Sequence, residues 1–445
     1  MFKFSKKYYT DVRIEYVNET KIEFLNGSLE SKKTKDYKGA FIRVFDGTRW
    51  YYSATTELDM IQSEIDMLNK LATINNDINN NLIVSKFEVN VGKFMKFCNK
   101  DVALIPIEQK ETLLRKYFQI VEENKHINMW RIIYTDINKT KKIYSSKGTN
   151  LTFDYQSVGI AVLFSMSEDN KKFDGAYQKT SNYFDELLFL EHDLQQYLNK
   201  SEYFFKNAVK VKPNKYTVVF APEGTGVFAH ESFGHKSESD FMVGDEVMKS
   251  EWELGKKVAS EIVSIIDNGD VNGRGYIQFD DEGTKCKENY LIENGILKKR
   301  LHSCSTAALL GEELTGNARA VNFEYEPIVR MTTTYIKQGN VTKEQLIEEV
   351  DEGVFVENVK RGAGMSIFTI NPQICYMIRN GKIAEPVNVS VVTGSVFEAL
   401  QAIDGISQDF NIHASATGGC RKMEQYPLPV GYGGPYIRVR NMNVW

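Results

Sequence analysis

The stretch that most restricts this chain is Gly224-Thr-Gly-Val-Phe-Ala-His230-Glu231-Ser-Phe-Gly234-His235-Lys-Ser-Glu238-Ser-Asp240. It holds two of the six histidines, five positions apart, with a carboxylate directly after the first. Two neutral imidazoles can hold a cation such as zinc, and a carboxylate one residue on reaches the water that such an ion activates. The spacing is His-Glu-x-x-x-His, one residue longer than the commoner zinc motif. At about 100° per residue, positions five apart on a regular helix point about 140° apart. Both histidines meet one ion only if the helix widens into a π-type turn or breaks. Gly234 is the residue expected to ease that distortion.

With 445 residues the chain has room for two or three domains and a well-buried core. A formal net charge of -4 gives no electrostatic case for nucleic acid or an anionic membrane. No apolar run approaches the roughly eighteen residues of a membrane span, and the start, Met1-Phe-Lys-Phe-Ser-Lys-Lys, lacks an apolar signal core. Cys98, Cys286, Cys304, Cys375 and Cys420 are scattered and odd in number, which points to a reducing compartment rather than disulfides. A cytoplasmic enzyme is the expectation.

Residues 1–210 read as an α+β domain of antiparallel strands with helices on one side. Alternating runs begin at Val12, Lys21 and Ala40, with hairpin signals at Asn26-Gly27 and Asp46-Gly47. Leu58, Ile61, Ile65, Leu68 and Leu71 keep helical spacing behind a candidate cap at Thr56. A second helix is expected over 108–123 and a third from about Ser181 into the 190s. His126 and His192 stand alone and read as structural. The segment 210–215 reads as a linker to a strand-rich domain, 211–445. There the strand Tyr216-Thr-Val-Val-Phe-Ala feeds the motif helix. Strands are also expected over 258–266 and 276–279. Tight hairpins are expected at Asn294-Gly295 and Asn380-Gly381. Thr342-x-x-Gln345 is a capping box opening a helix that ends near Gly353. The tail is glycine-rich loop from Ala416 through Pro427 and Pro429 to Pro435.

Several blocks in one order carry a family likeness. They are His230 to Asp240, Val258-Ala-Ser, Asp281-Glu-Gly-Thr284, Leu291-Ile-Glu-Asn-Gly-Ile-Leu, Thr315-Gly-Asn317, Pro327-x-x-Arg-Met-Thr and Gly419-Cys420 with Pro429-Val-Gly431. Over about 220–436 the chain resembles the TldD/PmbA family of metallopeptidases, and its His-Glu-x-x-x-His pair resembles the catalytic, TldD type. The resemblance implies a zinc site, or one for another divalent metal, with His230, His235 and Cys420 as ligands and Glu231 as general base. The other four cysteines read as buried small hydrophobes. Glu238, Asp240, Asp281 and Glu282 are candidates to orient the ligands. His413, Tyr432 and Arg330 are weaker candidates for contact with the reacting groups. The implied substrate is an unfolded or extended peptide, and the implied assembly a homodimer or a heterodimer with a PmbA-type subunit. Where Gly362-Ala-Gly364 is followed in the family by a polar strand, Ser366 to Pro372 here is more apolar, which bears on substrate preference. Two other readings stand beside hydrolysis. One is a non-hydrolytic peptide- or partner-binding protein with a structural metal. The other is a subunit active only with a PmbA-type partner.

Overall fold

The computed structural model describes residues 2–445. Asn26 and Gly27, both at positive φ (46° and 81°), close a two-residue hairpin. The strands Tyr9–Leu25 and Ser28–Phe45 therefore pair along almost their whole length. The strands Ile127–Ser145, Asn150–Glu168 and Lys171–Ser181 extend this sheet antiparallel, and Trp50–Thr55 closes its other side. The short strand Val91–Phe94 pairs parallel with Asn150–Glu168.

Helix Ile61–Leu71 buries Ile61, Ile65 and Leu68 against Val12, Ile14, Ile42 and Val44, as the spacing requires. It starts later than the sequence suggests, after a 3₁₀ turn at Leu58–Met60, and Thr56 does not cap it. The helix expected over 108–123 is two short ones, Ile107–Arg115 and Phe118–Glu122, still burying Leu113, Leu114 and Val121. The third is a 3₁₀ turn, Phe184–Leu187, followed by Glu191–Asn207.

The second sheet is built around Gly431–Val444. Asn214–Phe220 pairs antiparallel with its stretch Ile437 to Val444, and Thr333–Ile336 pairs parallel with its stretch Gly431 to Gly433. Asn214–Phe220 is flanked in turn by the strand Glu352–Gly364, parallel to it, which hairpins into Ile367–Arg379. Val218, Val219 and Phe220 are all fully buried, which is why this strand reads as an unbroken apolar run rather than an alternation. Most pairings are antiparallel, so the chain is α+β as expected, with a few parallel ones set by crossovers. The Asn-Gly pairs at 294–295 and 380–381 both turn at positive φ, and Thr342 and Gln345 form the capping box of Lys343–Glu348. That helix stops at Glu348, short of Gly353.

Two expected strands are not there. Of 258–266 only Ile265 and Ile266 join a ladder, in Ile265–Asn268. Tyr276 to Phe279 is buried loop: the Tyr276 N–H bonds the Gly273 carbonyl and the Ile277 N–H the Gly269 carbonyl. Those backbone groups are satisfied by local turns instead of a neighbouring strand.

The sheets share a core. Leu194, Leu198, Phe204 and Phe205 of helix Glu191–Asn207 belong to one buried cluster with Phe24 and Ile132 of the first sheet and Val219, Phe355 and Ile374 of the second. After that helix, Val209–Lys210 already pairs with the second sheet. A buried ionic seam joins them as well: Lys141 meets Asp281 at 2.5 Å, and Arg43 meets Glu282 at 3.0 Å. No helix among the described residues is long and apolar enough to cross a membrane.

Candidate metal centre

The strand Asn214–Phe220 runs straight into helix Pro222–Ala229, with Pro222 in its first turn, where a missing N–H costs nothing. The helix lies hard against Gly431–Val444: a Cβ on Gly226 would sit 2.3 Å from the Gly433 nitrogen. At His230 the helix widens. Residues His230–Gly234 form a π turn, and the His235 N–H donates to the His230 carbonyl five residues back. A 3₁₀ turn, His235–Ser237, follows. The widened turn sets residues five apart on one face, so the two imidazoles lie with ring centroids 5.1 Å apart, edge to face. Gly234 has ordinary helical φ, and it is needed for space rather than freedom. A Cβ there would lie 2.0 Å from Met331 Sδ.

The third group arrives from the far end of the sequence. Cys420 opens a small hairpin, Cys420–Lys422 with Gln425–Leu428, and its Sγ is 3.4 Å from His235 Nε2. One ligand atom from each of His230, His235 and Cys420 lies within 4.8 Å of the others. Tetrahedral zinc, with bonds of about 2.0–2.3 Å, draws its ligand atoms roughly 3.5 Å apart, so this cluster closes on an ion with small side-chain movements. The buried Nδ1 of His230 has no hydrogen-bond partner. Burial alone would raise the Cys420 thiol, but His230 and His235 beside it outweigh that and bring it down to about 5. Burial alone would lower His235, yet Cys420 and Glu238 raise it to about 10, and His230 also rises through Cys420. A thiolate beside two imidazoles is a donor set suited to zinc.

The sign of these shifts gives a prediction. At pH 7 the thiol has already lost its proton and His235 still carries one, so uptake of Zn²⁺ displaces protons from imidazole. Affinity should rise with pH through the neutral range, with about one to two protons released per ion, measured by titration calorimetry in buffers of different ionisation enthalpy. Affinity independent of pH between 6 and 9 would contradict this assignment.

Behind the cluster lies a charged support. His235 Nδ1 is 3.3 Å from Glu238 Oε2, and Glu238 is fully buried. Lys422 Nζ reaches Glu238 at 3.0 Å and Asp240 at 2.7 Å, and donates to the Val329 carbonyl at 2.9 Å. Glu238 thus touches the His235 ring directly, whereas Asp240 reaches it only through Lys422, a residue the sequence did not single out. Its only signal there was position, two residues after the cysteine. Arg330, also fully buried, donates from Nη2 to the Cys420 carbonyl at 2.9 Å. It grips the hairpin from behind and does not face the reacting groups, contrary to expectation.

Asp281 and Glu282 are not beside the histidines. Asp281 meets Lys141 and accepts from the Ala320 N–H, and Glu282 meets Arg43 and accepts from the Cys304 N–H. Their acidic turn belongs to the seam between the sheets. Of the remaining cysteines, Cys286, Cys304 and Cys375 are buried as expected, but Cys98 is exposed. His126 packs on Phe205 near Glu168 and Glu202, and the exposed His192 meets Gln196.

A cleft opens over the cluster, walled by Val227, Glu231, Gly362, Ser415, Cys420 and Tyr432. The Glu231 carboxylate lines it beside His230, with no hydrogen bond or ion pair to any described residue. Tyr432 has its ring 6.4 Å from that of His230, and burial, reinforced by Glu223 and Glu231, keeps it a phenol. His413 sits across the ladder from Tyr432, with Nε2 buried and unpartnered, outside the cleft lining. The strand Glu352–Gly364 passes so close that a Cβ on Gly362 would lie 2.4 Å from Val227 Cγ1 and 3.1 Å from Glu231 Cγ. Gly362→Ala should therefore push Val227 aside and crowd Glu231 by a few tenths of an ångström, lowering turnover severalfold, since small misplacements of a reacting group are costly. Zinc content should stay unchanged. Full activity in that variant would show that the wall is not set by this contact.

Two family models match the chain: the PmbA/TldA metallopeptidase C-terminal domain over residues 213–445, and domain 1 of the same metallopeptidases over residues 10–72. The first alone covers more than half of the chain, including every residue of the cluster. The chain belongs to the TldD/PmbA family of metallopeptidases. Relatives of this family align along nearly its entire length. A Methanothermobacter thermautotrophicus protein named metalloprotease is 29% identical, over 98% of this chain and 95% of its own. A Saccharolobus solfataricus protein named zinc metalloprotease TldD homolog is 28% identical, over 100% and 99%. Among solved structures, TldE from Thermococcus kodakarensis superposes with a TM-score of 0.75 at 16% identity, covering 98% of this chain and 96% of its own. That likeness establishes the TldD/PmbA fold here.

Proposed function

We propose that this TldD/PmbA chain is a zinc-dependent peptidase of the TldD type that hydrolyses extended or unfolded peptides. The observation that carries the reading is the convergence of His230, His235 and Cys420 within 4.8 Å, beneath a cleft walled by an unpaired Glu231. Zinc held there would lower the pKa of water towards about 7 and polarise a scissile carbonyl. Glu231 takes the proton of the attacking water and returns it to the leaving amine. Glu238 holds the His235 ring in register, and Tyr432, a phenol at neutral pH, is our candidate donor to the carbonyl oxygen.

An extended substrate is supported by the strand Glu352–Gly364. Up to Val356 it has strands on both sides. Beyond that point Ile367–Arg379 pairs with one edge, and among the described residues no strand pairs with the other as it passes the cleft. A peptide backbone can add to such an edge. The reading also has the chain working as a homodimer or with a PmbA-type subunit, in a reducing compartment such as the cytoplasm that keeps the Cys420 thiol available.

The test is mass spectrometry of an unstructured peptide library incubated with zinc-loaded protein, with chelator-stripped protein and with the protein plus a PmbA-type subunit. Cleavage that needs zinc supports the reading, and cleavage only with the added subunit assigns activity to the complex. Binding of peptides without cleavage in any arm would replace it with a non-hydrolytic role.

A further inference from the structure

A second cleft, of about 600 Å³, lies between the Cys420 hairpin, the segment Val321 to Tyr325 and the first sheet. Tyr426 and Pro427 of the hairpin wall it, and Arg274 forms part of its lining. Most charges around it are satisfied. Lys35 is 3.2 Å from Glu19, and Lys139 donates to the Val321 carbonyl at 3.1 Å. Lys33 and Arg274 have no carboxylate within ion-pair distance among the described residues.

Arg274 is the telling one. A guanidinium of this kind is expected to meet a carboxylate or a phosphate, ideally in a two-pronged contact. Here Nη1 donates to the Ser415 carbonyl, and Nε is buried with no partner. Its backbone is fixed on both sides. Asn182 Oδ1 accepts from the Gly273 N–H at 2.6 Å, and the Tyr155 hydroxyl donates to the Arg274 carbonyl at 3.0 Å. Ser415, which Arg274 grips, is itself in the wall of the metal cleft. A cation without an anionic partner among the described residues thus lies one contact away from the metal cleft, in the lining of a second cleft large enough for several atoms of a peptide.

We propose that this second cleft is a carboxylate subsite of the peptidase, in which Arg274, aided by Lys33, binds a carboxylate of the peptide being cut. The proposal rests on the peptidase reading above. The carboxylate can come from the free C-terminus of the peptide or from an Asp or Glu side chain, and the two sources are separable.

The experiment uses the zinc-loaded Glu231→Gln protein, so that nothing is cleaved, and fluorescence anisotropy of three labelled unstructured peptides of one length. One has a free C-terminus and no acidic side chain, one is the same peptide amidated, and one is amidated with a single glutamate. A peptide carrying the recognised carboxylate should bind about tenfold more tightly than the neutral one. Arg274→Gln should abolish that difference, and Lys33→Gln, an exposed position that tolerates change, should reduce it. Which of the two carboxylate peptides is favoured names the source. Equal binding of all three would overturn the subsite and leave the peptidase reading standing, as would a preference untouched by both substitutions. No binding of any peptide would overturn both.

Discussion

Glu231→Gln should lower peptide hydrolysis about 10²- to 10⁴-fold while leaving one zinc per chain in place. The side chain follows His230, lines the cleft and has no hydrogen-bond or ion-pair partner among the described residues. Glutamine keeps its size, which matters because the Gly362 backbone leaves little room for a larger change. What glutamine cannot do is accept a proton from water at neutral pH. Since Glu231 is not among the three clustered ligands, metal content should be that of the wild type. Parallel assays of kcat and of zinc by atomic absorption check both halves. Retained turnover would remove the general-base role, and loss of zinc would make Glu231 a ligand instead.

Glu238→Gln should have the next largest effect, through the metal rather than the substrate. Glu238 is fully buried between His235 and Lys422, whose side chain is also nearly inaccessible. Outer partners of this kind are typically worth 10- to 100-fold in metal affinity. Removing the carboxylate also leaves Lys422 with Asp240 as its only anionic partner, so apo stability should fall by about 3 kcal/mol. Zinc affinity by chelator competition and Tm with and without zinc separate the two contributions. Lys422→Met in the Glu238→Gln background should recover part of the stability without recovering the affinity. An unchanged zinc affinity would make Glu238 a purely structural partner of Lys422.

What the sequence could show was local. The five-residue spacing of His230 and His235 demanded a widened turn, and the π turn with its His235-to-His230 hydrogen bond is that turn. The positive-φ Asn-Gly pairs and the Thr342 capping box were legible because turn and cap chemistry is written in two to four adjacent residues. The contacts that complete the site are not local. Cys420 and its clamp Arg330 are 90 positions apart, and Lys422 meets Asp240 across 182. Periodicity carries no information over such distances, so Cys420 entered only through family likeness and Lys422 not at all. The acidic turn was misassigned for the same reason. Nothing near Asp281 or Glu282 in sequence announces Lys141 or Arg43, whose charges claim them for the seam between the sheets.

The most direct test of the account is anomalous diffraction at the zinc edge from crystals of the zinc-loaded protein. The account predicts one peak per chain, about 2.0–2.3 Å from a nitrogen of His230, a nitrogen of His235 and Cys420 Sγ, with a fourth position open toward Glu231. A peak held by other residues, or a fully loaded protein with no density between these three, would contradict it.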